Sequence, residues 1–265
     1  MWTVGMMAWR IGAILDLRAQ VEWIRQAGFG GVGLHACAGE PARWQGVDPS
    51  ATDGEARRRL RKILSGFPLR EVHAPVSCRL RADTLTATIE ELARILSFAG
   101  DIGATVVTVH ARIPDPEESG APIWRETLEG LNAAAARQGV ALGLEVTEGF
   151  DWIARQDLPN VGVTLDVGHM HHEGARPLRP FGSLGEVVRR CGAALKHLHL
   201  HDHNGAVDHV ELGTGRVDFK DLLAALKDVG YQEALMLELN PDRCPPEGIL
   251  RSRAWLQERI QELEL

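Results

Sequence analysis

Eight short apolar runs alternate with eight amphipathic runs, and this alternation restricts the fold of the chain more than any other feature. The strand-like runs cover residues 3–7, 31–36, 70–75, 105–111, 141–146, 161–167, 195–201 and 234–240. The helical runs cover residues 17–27, 54–66, 83–102, 121–138, 151–156, 183–192, 218–229 and 246–262. Strands that alternate with helices form parallel sheets. Eight such pairs without a break in composition predict a single α/β domain over residues 1–265, a (β/α)8 barrel.

Glycine turns and long loops predict which end of this barrel carries function. The phrases QAGFGGVGL, DIGATVVTV, RQGVALGL and DVGYQEALML each end a helix near a glycine and enter the next strand at once,. Longer segments follow the strands at 37–53, 112–120 and 202–217. Barrel enzymes build their active sites from the loops that follow the strands. We therefore expect the functional site at the carboxyl ends of the strands.

Composition excludes several classes of protein. The formal net charge of -7 does not favour a polyanionic partner such as nucleic acid,. No apolar run reaches the ~18 residues that a membrane span needs, and the first residues show no signal peptide,. The four cysteines are widely scattered without a CxxC pair, which predicts reduced thiols,. Together these features predict a cytoplasmic protein without membrane contact.

Four consecutive predicted strands end at or near a residue that binds divalent metals. These residues are Glu145, Asp166, His199 and Glu238. A carboxylate or imidazole at a buried strand end costs desolvation energy and contributes little to packing. Alone, each is more often a capping or salt-bridging group, but four in register indicate a shared site. Three carboxylates and one imidazole suit Mn, Mg, Co or Zn.

Further histidines end neighbouring strands or lie just beyond them. His73 ends the third strand, His110 ends the fourth, and His169 follows Asp166 by three residues. We expect these three to contact substrate oxygens or a second metal. Arg216, in the LGTGR turn, is a candidate for holding an anion, although a plain loop fits that turn equally well,. His201 is interpreted as a loop residue.

The blocks VHAP, LEV, LDVGH, HLHLHD, LGTGRVDF and LELN resemble the xylose isomerase-like barrels over residues 3–240. That superfamily includes sugar and sugar-phosphate isomerases and epimerases, inosose dehydratases and nucleases of the endonuclease IV type. The resemblance implies that Glu145, Asp166, His199 and Glu238 form the epimerases' single-metal site and that His169 contacts the substrate. It also implies that His73, His110 and His209 match positions that complete a three-metal cluster in the nucleases. There the nuclease pattern has an aspartate at the position of Val207, whereas this chain places Asp208 one residue later.

These residue types favour proton transfer on a ketose. A divalent ion on adjacent hydroxyl and carbonyl oxygens acidifies the carbon-bound proton and stabilises an enediolate. Glu145 and Glu238 are the predicted pair that removes and returns this proton. The predicted partner is a small carbohydrate: a ketose, a sugar phosphate or a related keto-polyol. Barrels of this kind often pair, which leaves a homo-oligomer open.

Three alternatives remain at this stage. Dehydration of an inosose-type keto-polyol would begin with the same proton abstraction. An abasic-site nuclease would need basic loops around its mouth, whereas AGEPARWQGVDPSATDGE, RIPDPEESGAP and DHNGAVDHVELGTGR are mixed to acidic. A barrel that binds a sugar without turnover would not need an intact ligand set. The sequence therefore favours an isomerase or epimerase.

Overall fold

A computed structural model describes residues 2–113 and 121–264. Eight parallel strands close into a barrel. In their order around the barrel they are β1 Val4–Met7, β2 Gly31–His35, β5 Leu69–His73, β6 Val106–His110, β7 Ala141–Glu145, β8 Val161–Asp166, β9 Leu195–Leu200 and β10 Leu235–Leu237. The strands β3 and β4 form a separate hairpin, described below. The predicted (β/α)8 barrel is confirmed, and each strand lies within three residues of its predicted bounds.

Helices surround the barrel and connect its strands. They are α1 Leu17–Gln26, α2 Gly54–Leu64, α3 Leu85–Ile102, α4 Ala121–Gln138, α5 Phe150–Ala154, α6 His172–Ala175, α7 Leu184–Cys191, α8 Phe219–Asp228 and α9 Pro246–Glu264. Asp16, Asp53, Ser183 and Asp218 cap four helix N-termini through their side-chain oxygens,. Gly103 ends α3 in the left-handed conformation, with φ of 73°, before the chain enters β6,. These five helix boundaries therefore lie at residues that favour them.

The apolar core lies between the strands and the helices, whereas the upper part of the barrel interior is polar. Leu142 and Leu144 of β7 belong to the buried apolar cluster, and Glu145 follows them on the alternate face,. Within the barrel the Oγ1 atoms of Thr108 and Thr164 lie 3.2 Å apart in a hydrogen bond. A Cβ atom at Gly143 would lie 1.9 Å from Oγ1 of Thr164. The barrel interior therefore accepts only glycine there.

The segment 37–53 contains structure that the sequence did not predict. Two short strands, β3 Gly39–Glu40 and β4 Trp44–Gln45, form an antiparallel hairpin within it. The predicted loop at 112–120 lies mostly outside the described residues, since 114–120 are not among them. Of the helices in the described part of the chain, none combines the length and apolar character needed to cross a membrane. The four cysteines are free thiols, as predicted.

Candidate metal centre

The barrel brings the four predicted metal ligands to its carboxyl end. Glu145 and Asp166 are the last residues of β7 and β8, and Glu238 directly follows β10. Strand register pairs Asp166 with His199, which is the penultimate residue of β9. All four side chains are buried. Parallel strands thus place three carboxylates and one imidazole near the carboxyl end of the barrel.

Glu145 lies at the centre of a ring of histidines. Its Oε1 atom is 3.0 Å from Nδ1 of His169 and 3.3 Å from Nε2 of His110. Its Oε2 atom is 3.1 Å from Nε2 of His73 and 3.6 Å from Nδ1 of His199. Both oxygens therefore face imidazole nitrogens, and the histidines predicted from strand ends lie around one carboxylate.

Hydrogen bonds on the far side of two imidazoles decide which nitrogen faces the site. His199 donates from Nε2 to Oε1 of Glu71 at 2.7 Å, which leaves Nδ1 at 3.0 Å from Oε2 of Glu238. His73 donates from Nδ1 to the carbonyl oxygen of Ala74 at 2.7 Å. In the neutral state of either ring, a lone pair would face a carboxylate oxygen. A cation, either a proton or a metal ion, must therefore lie between them.

Without a metal, protons supply this positive charge. Burial lowers the pKa of His73, but its hydrogen bond to Glu145 and the charge of Glu238 outweigh this effect and raise the pKa to about 9. Burial also opposes protonation of His169, yet Asp166 and Glu145 raise its pKa to about 10. A divalent ion can replace such protons, because donor atoms of His73, His199 and Glu238 converge, as do those of His73, His110 and Glu145,. Asp166 instead converges with His169, His201 and His209. The donor set therefore fits a divalent cation.

His201 supports Asp166. It lies outside the strand, directly after β9, as the sequence predicts, but it is fully buried. The backbone N–H of His209 donates to Nδ1 of His201 at 2.8 Å, so the ring proton lies on Nε2,. That Nε2–H group donates to Oδ1 of Asp166 at 2.8 Å. His201 therefore orients this carboxylate and has no free lone pair for a metal.

Asp208 lies beside the histidines of the site, although it is one residue away from the position of the aspartate in the nuclease pattern. Its Oδ1 atom is 3.0 Å from Nδ1 of His209, and its Oδ2 atom is 2.6 Å from Nε2 of His172 and 3.8 Å from Nε2 of His169. Arg243 also donates to Oδ1 at 2.6 Å. Asp208 thus already has a cationic partner, while His209 reaches within 3.9 Å of Oε2 of Glu238.

A cavity of about 800 Å³ opens beside the cluster. His110, Glu145 and His169 line it, and arginines contribute to its rim. Arg216 is not among its lining residues. Its guanidinium lies against Gly205, close enough to His171 and His203 to act on both electrostatically. The structure therefore does not bring Arg216 to the predicted substrate site.

Glu71 is a buried site residue that the sequence analysis missed. Its Oε1 atom accepts from His199, and its Oε2 atom accepts from Nε2 of His197 at 2.9 Å. The available signal was strand alternation, because Glu71 and His73 are two residues apart and share the inner face of β5,. A carboxylate two positions before a predicted site histidine points to the same lumen.

Comparisons with known proteins agree with this architecture. The sequence model of the xylose isomerase-like TIM barrel family matches residues 21–259. An uncharacterised protein of Methanocaldococcus jannaschii is 26% identical over 196 residues, which span 63% of this chain and 63% of that protein. A D-psicose 3-epimerase of Ruminiclostridium cellulolyticum is 34% identical over 91 residues, which span 34% of this chain and 27% of the epimerase. Each match thus spans less than two thirds of the relative's own length.

Solved structures share the fold over nearly the whole chain. A xylose isomerase domain protein from Planctomyces limnophilus has a TM-score of 0.73 at 19% identity, covering 98% of this chain and 96% of its own. A D-psicose 3-epimerase crystallised in the presence of D-fructose has a TM-score of 0.73 at 17% identity, with coverage of 97% and 99%. At such identities the likeness concerns the fold. The family match over residues 21–259 goes further, and the chain belongs to the xylose isomerase-like TIM barrel family.

Proposed function

We propose that the protein is a divalent-metal-dependent isomerase or epimerase of a small ketose, a sugar phosphate or a related keto-polyol. One observation carries this proposal. Nδ1 of His199 faces Oε2 of Glu238 at 3.0 Å and Oε2 of Glu145 at 3.6 Å, with no aligned hydrogen-bond partner among the described residues. Two carboxylates thus flank one point that requires a cation. The ketose 3-epimerases among the relatives and structural neighbours support the same class of reaction.

Glu145, Asp166, His199 and Glu238 are the proposed ligands of the ion. When bound there, Mn, Mg, Co or Zn would supply Lewis acidity to adjacent carbonyl and hydroxyl oxygens of the sugar. His73 is a further candidate, because its Nε2 atom lies within reach of the same oxygen of Glu145. The acidic and imidazole donors suit these ions better than copper.

Glu145 and Glu238 are the proposed proton carriers. They extend from β7 and β10, which are three positions apart around the eight-stranded barrel. One carboxylate takes the proton from the sugar carbon, and the electron pair of the C–H bond passes into an enediolate. The other carboxylate returns a proton to the opposite face. His110 and His169, beside Oε1 of Glu145, line the cavity and would orient the hydroxyl groups of the substrate.

The proposal is tested with metal-loaded protein and a panel of ketoses, ketose phosphates and keto-polyols in deuterium oxide. Turnover should be accompanied by deuterium at the carbon that changes configuration or oxidation level. Loss of water from a keto-polyol would indicate the dehydratase instead. Turnover without solvent exchange would contradict proton transfer through carboxylates, since hydride transfer retains the substrate hydrogen.

A second candidate is cleavage of abasic DNA, favoured by the approach of Asp208 to His169 and His209. These side chains could supply further metal ligands, as the resemblance to the nuclease branch implies. However, Arg243 already pairs with Asp208, and the chain carries a net charge of -7. A DNA enzyme neutralises phosphates with Lys and Arg around its mouth. We therefore favour the sugar enzyme.

A further inference from the structure

We infer that Glu71 is a positioning residue for the proposed metal site. Its buried carboxylate keeps the ring proton of His199 on Nε2, so that Nδ1 is unprotonated and its lone pair faces Glu145 and Glu238. The inference rests on the proposed metal binding at His199. Glu71 precedes His73 by two residues on β5, lies deeper in the barrel, and is not among the described residues that line the cavity.

The contact geometry assigns this role to Glu71. Its Oε1 atom accepts from Nε2 of His199 at 2.7 Å, and both side chains are fully shielded from solvent. An ionised carboxylate can only accept hydrogen bonds, so the nitrogen facing it must carry the proton. The other nitrogen then keeps its lone pair, and a metal ligand needs such a lone pair.

The carboxylate also makes the imidazole a better ligand. A negative charge beside the N–H group of a metal-bound histidine fixes the ring orientation and increases the basicity of the opposite nitrogen. The other oxygen of Glu71 has a separate partner, because Nε2 of His197 lies 2.9 Å from Oε2. Each oxygen of Glu71 therefore accepts from a different imidazole, and Oε1 alone faces His199.

His197 provides the matched control. It contacts the same carboxylate from β9, two residues before His199, and its described ion pair is with Glu71. If Glu71 has only a structural role, replacing Glu71 or His197 should reduce metal affinity equally. If Glu71 acts through His199, only its own replacement should reduce metal affinity, because Oε1 can still accept from His199 when His197 is replaced.

The test compares Glu71→Gln with His197→Gln. In Glu71→Gln the amide offers one acceptor and one donor to two N–H groups, so it cannot satisfy both rings in their native tautomers. In His197→Gln the new amide can donate to Oε2 and leave the contact with His199 intact. Binding of Mn²⁺ is measured from the electron paramagnetic resonance of free Mn²⁺, and folding is checked by circular dichroism and thermal unfolding.

We expect Glu71→Gln to weaken Mn²⁺ binding by ~10- to 100-fold, as other losses of such supporting partners do, and His197→Gln to change it by less than about threefold. Equal affinities of Glu71→Gln and the wild-type protein, or equal losses in both variants, would overturn the inference. If the wild-type protein binds no Mn²⁺, the proposed metal site fails first and the inference falls with it.

A measurement on the wild-type protein decides the matter if Glu71→Gln does not fold. Long-range ¹H–¹⁵N correlations of the Mg²⁺- or Zn²⁺-loaded protein report which nitrogen of each imidazole carries the proton. The inference requires the proton of His199 on Nε2. A proton on Nδ1 would overturn it.

Discussion

Nε2 of His201 lies 2.8 Å from Oδ1 of Asp166, and the ring that makes this contact packs directly over Gly168. A Cβ atom at Gly168 would lie 2.0 Å from Cε1 of His201. Gly168 has ordinary right-handed helical backbone angles, with φ of -75°. The glycine is therefore required for space and not for its backbone conformation.

Gly168→Ala should displace His201 from Asp166. Overpacking of this kind costs about 1–3 kcal/mol in the free energy of unfolding, and the lost hydrogen bond should weaken metal binding by ~10-fold or more. Chemical denaturation and Mn²⁺ titration measure the two effects. The control is Gly130→Ala in α4, where a Cβ atom would meet nothing within 4 Å. That change should stabilise the protein by up to ~1 kcal/mol and leave metal affinity unchanged. Wild-type affinity in Gly168→Ala would show that His201 does not orient Asp166.

Glu145→Gln and Glu238→Gln should each reduce turnover by ~10²-fold or more. Glutamine keeps the size of the side chain but cannot accept the substrate proton. Steady-state kinetics at saturating metal measure kcat and KM for each variant. Glu129→Gln, at an exposed position of α4, is the control and should behave like the wild-type protein. Near-normal turnover in either site variant would remove that glutamate from the proposed mechanism.

Metal affinity should increase as the pH rises. In the metal-free protein the pKa of His73 is about 9 and that of His169 is about 10, so both rings carry protons at neutral pH. A metal ion that takes the place of such a proton releases it, and the apparent Kd should then fall about tenfold per pH unit for each proton released. Calorimetric titrations in buffers of different ionisation enthalpy count the released protons. A Kd that is constant between pH 6 and 9 would contradict this displacement.

The stability of the metal-free protein should fall at both extremes of pH. His73 has a raised pKa in the folded state, so its contribution is fully present below about 6.5 and is lost as the pH rises through about 9,. Asp166 behaves oppositely. Burial raises its pKa, but His169 and His201 lower it to about 2, so its contribution is present above about 4 and is lost as the pH falls toward 2,. Urea unfolding across this pH range measures the free energy of unfolding. In His73→Asn this free energy should fall less as the pH rises through about 9.

The protein should not bind abasic duplex DNA tightly. Its net charge is -7, and the loop at 202–217 contains no lysine and a single arginine. Fluorescence anisotropy with labelled abasic and intact duplexes, at several salt concentrations, measures this affinity. Tight binding that weakens steeply with salt would instead support the nuclease candidate.

The sequence was sufficient to predict the barrel, because strand and helix periodicity are local properties. The eight strands and the family were predicted correctly. The strand-end residues Glu145, Asp166, His199 and Glu238 lie together at one end of the barrel, although their role as metal ligands stays a prediction. The single-domain organisation, the cytoplasmic location and the identity of the sugar also stay predictions.

What the sequence could not predict depends on contacts across the barrel. Glu71 has no recognisable motif, and its meaning comes from His197 and His199, more than 120 residues later. The burial of His201 could not be predicted, because nothing local shows that Gly168 leaves space for its ring. The hairpin of β3 and β4 was missed because each of its strands has only two residues.

The pairing of Glu71 with His197 across the barrel also constrains how this protein can diverge. The two positions lie on β5 and β9, and each side chain satisfies a buried polar group of the other. Loss of Glu71 leaves Nε2 of His197 buried without this partner, and loss of His197 leaves Oε2 of Glu71 without its donor while Oε1 keeps His199. Either loss costs about 1–3 kcal/mol. Position 197 should therefore keep a hydrogen-bond donor wherever position 71 keeps a carboxylate, and alignments of orthologues should show the two positions as a covarying pair.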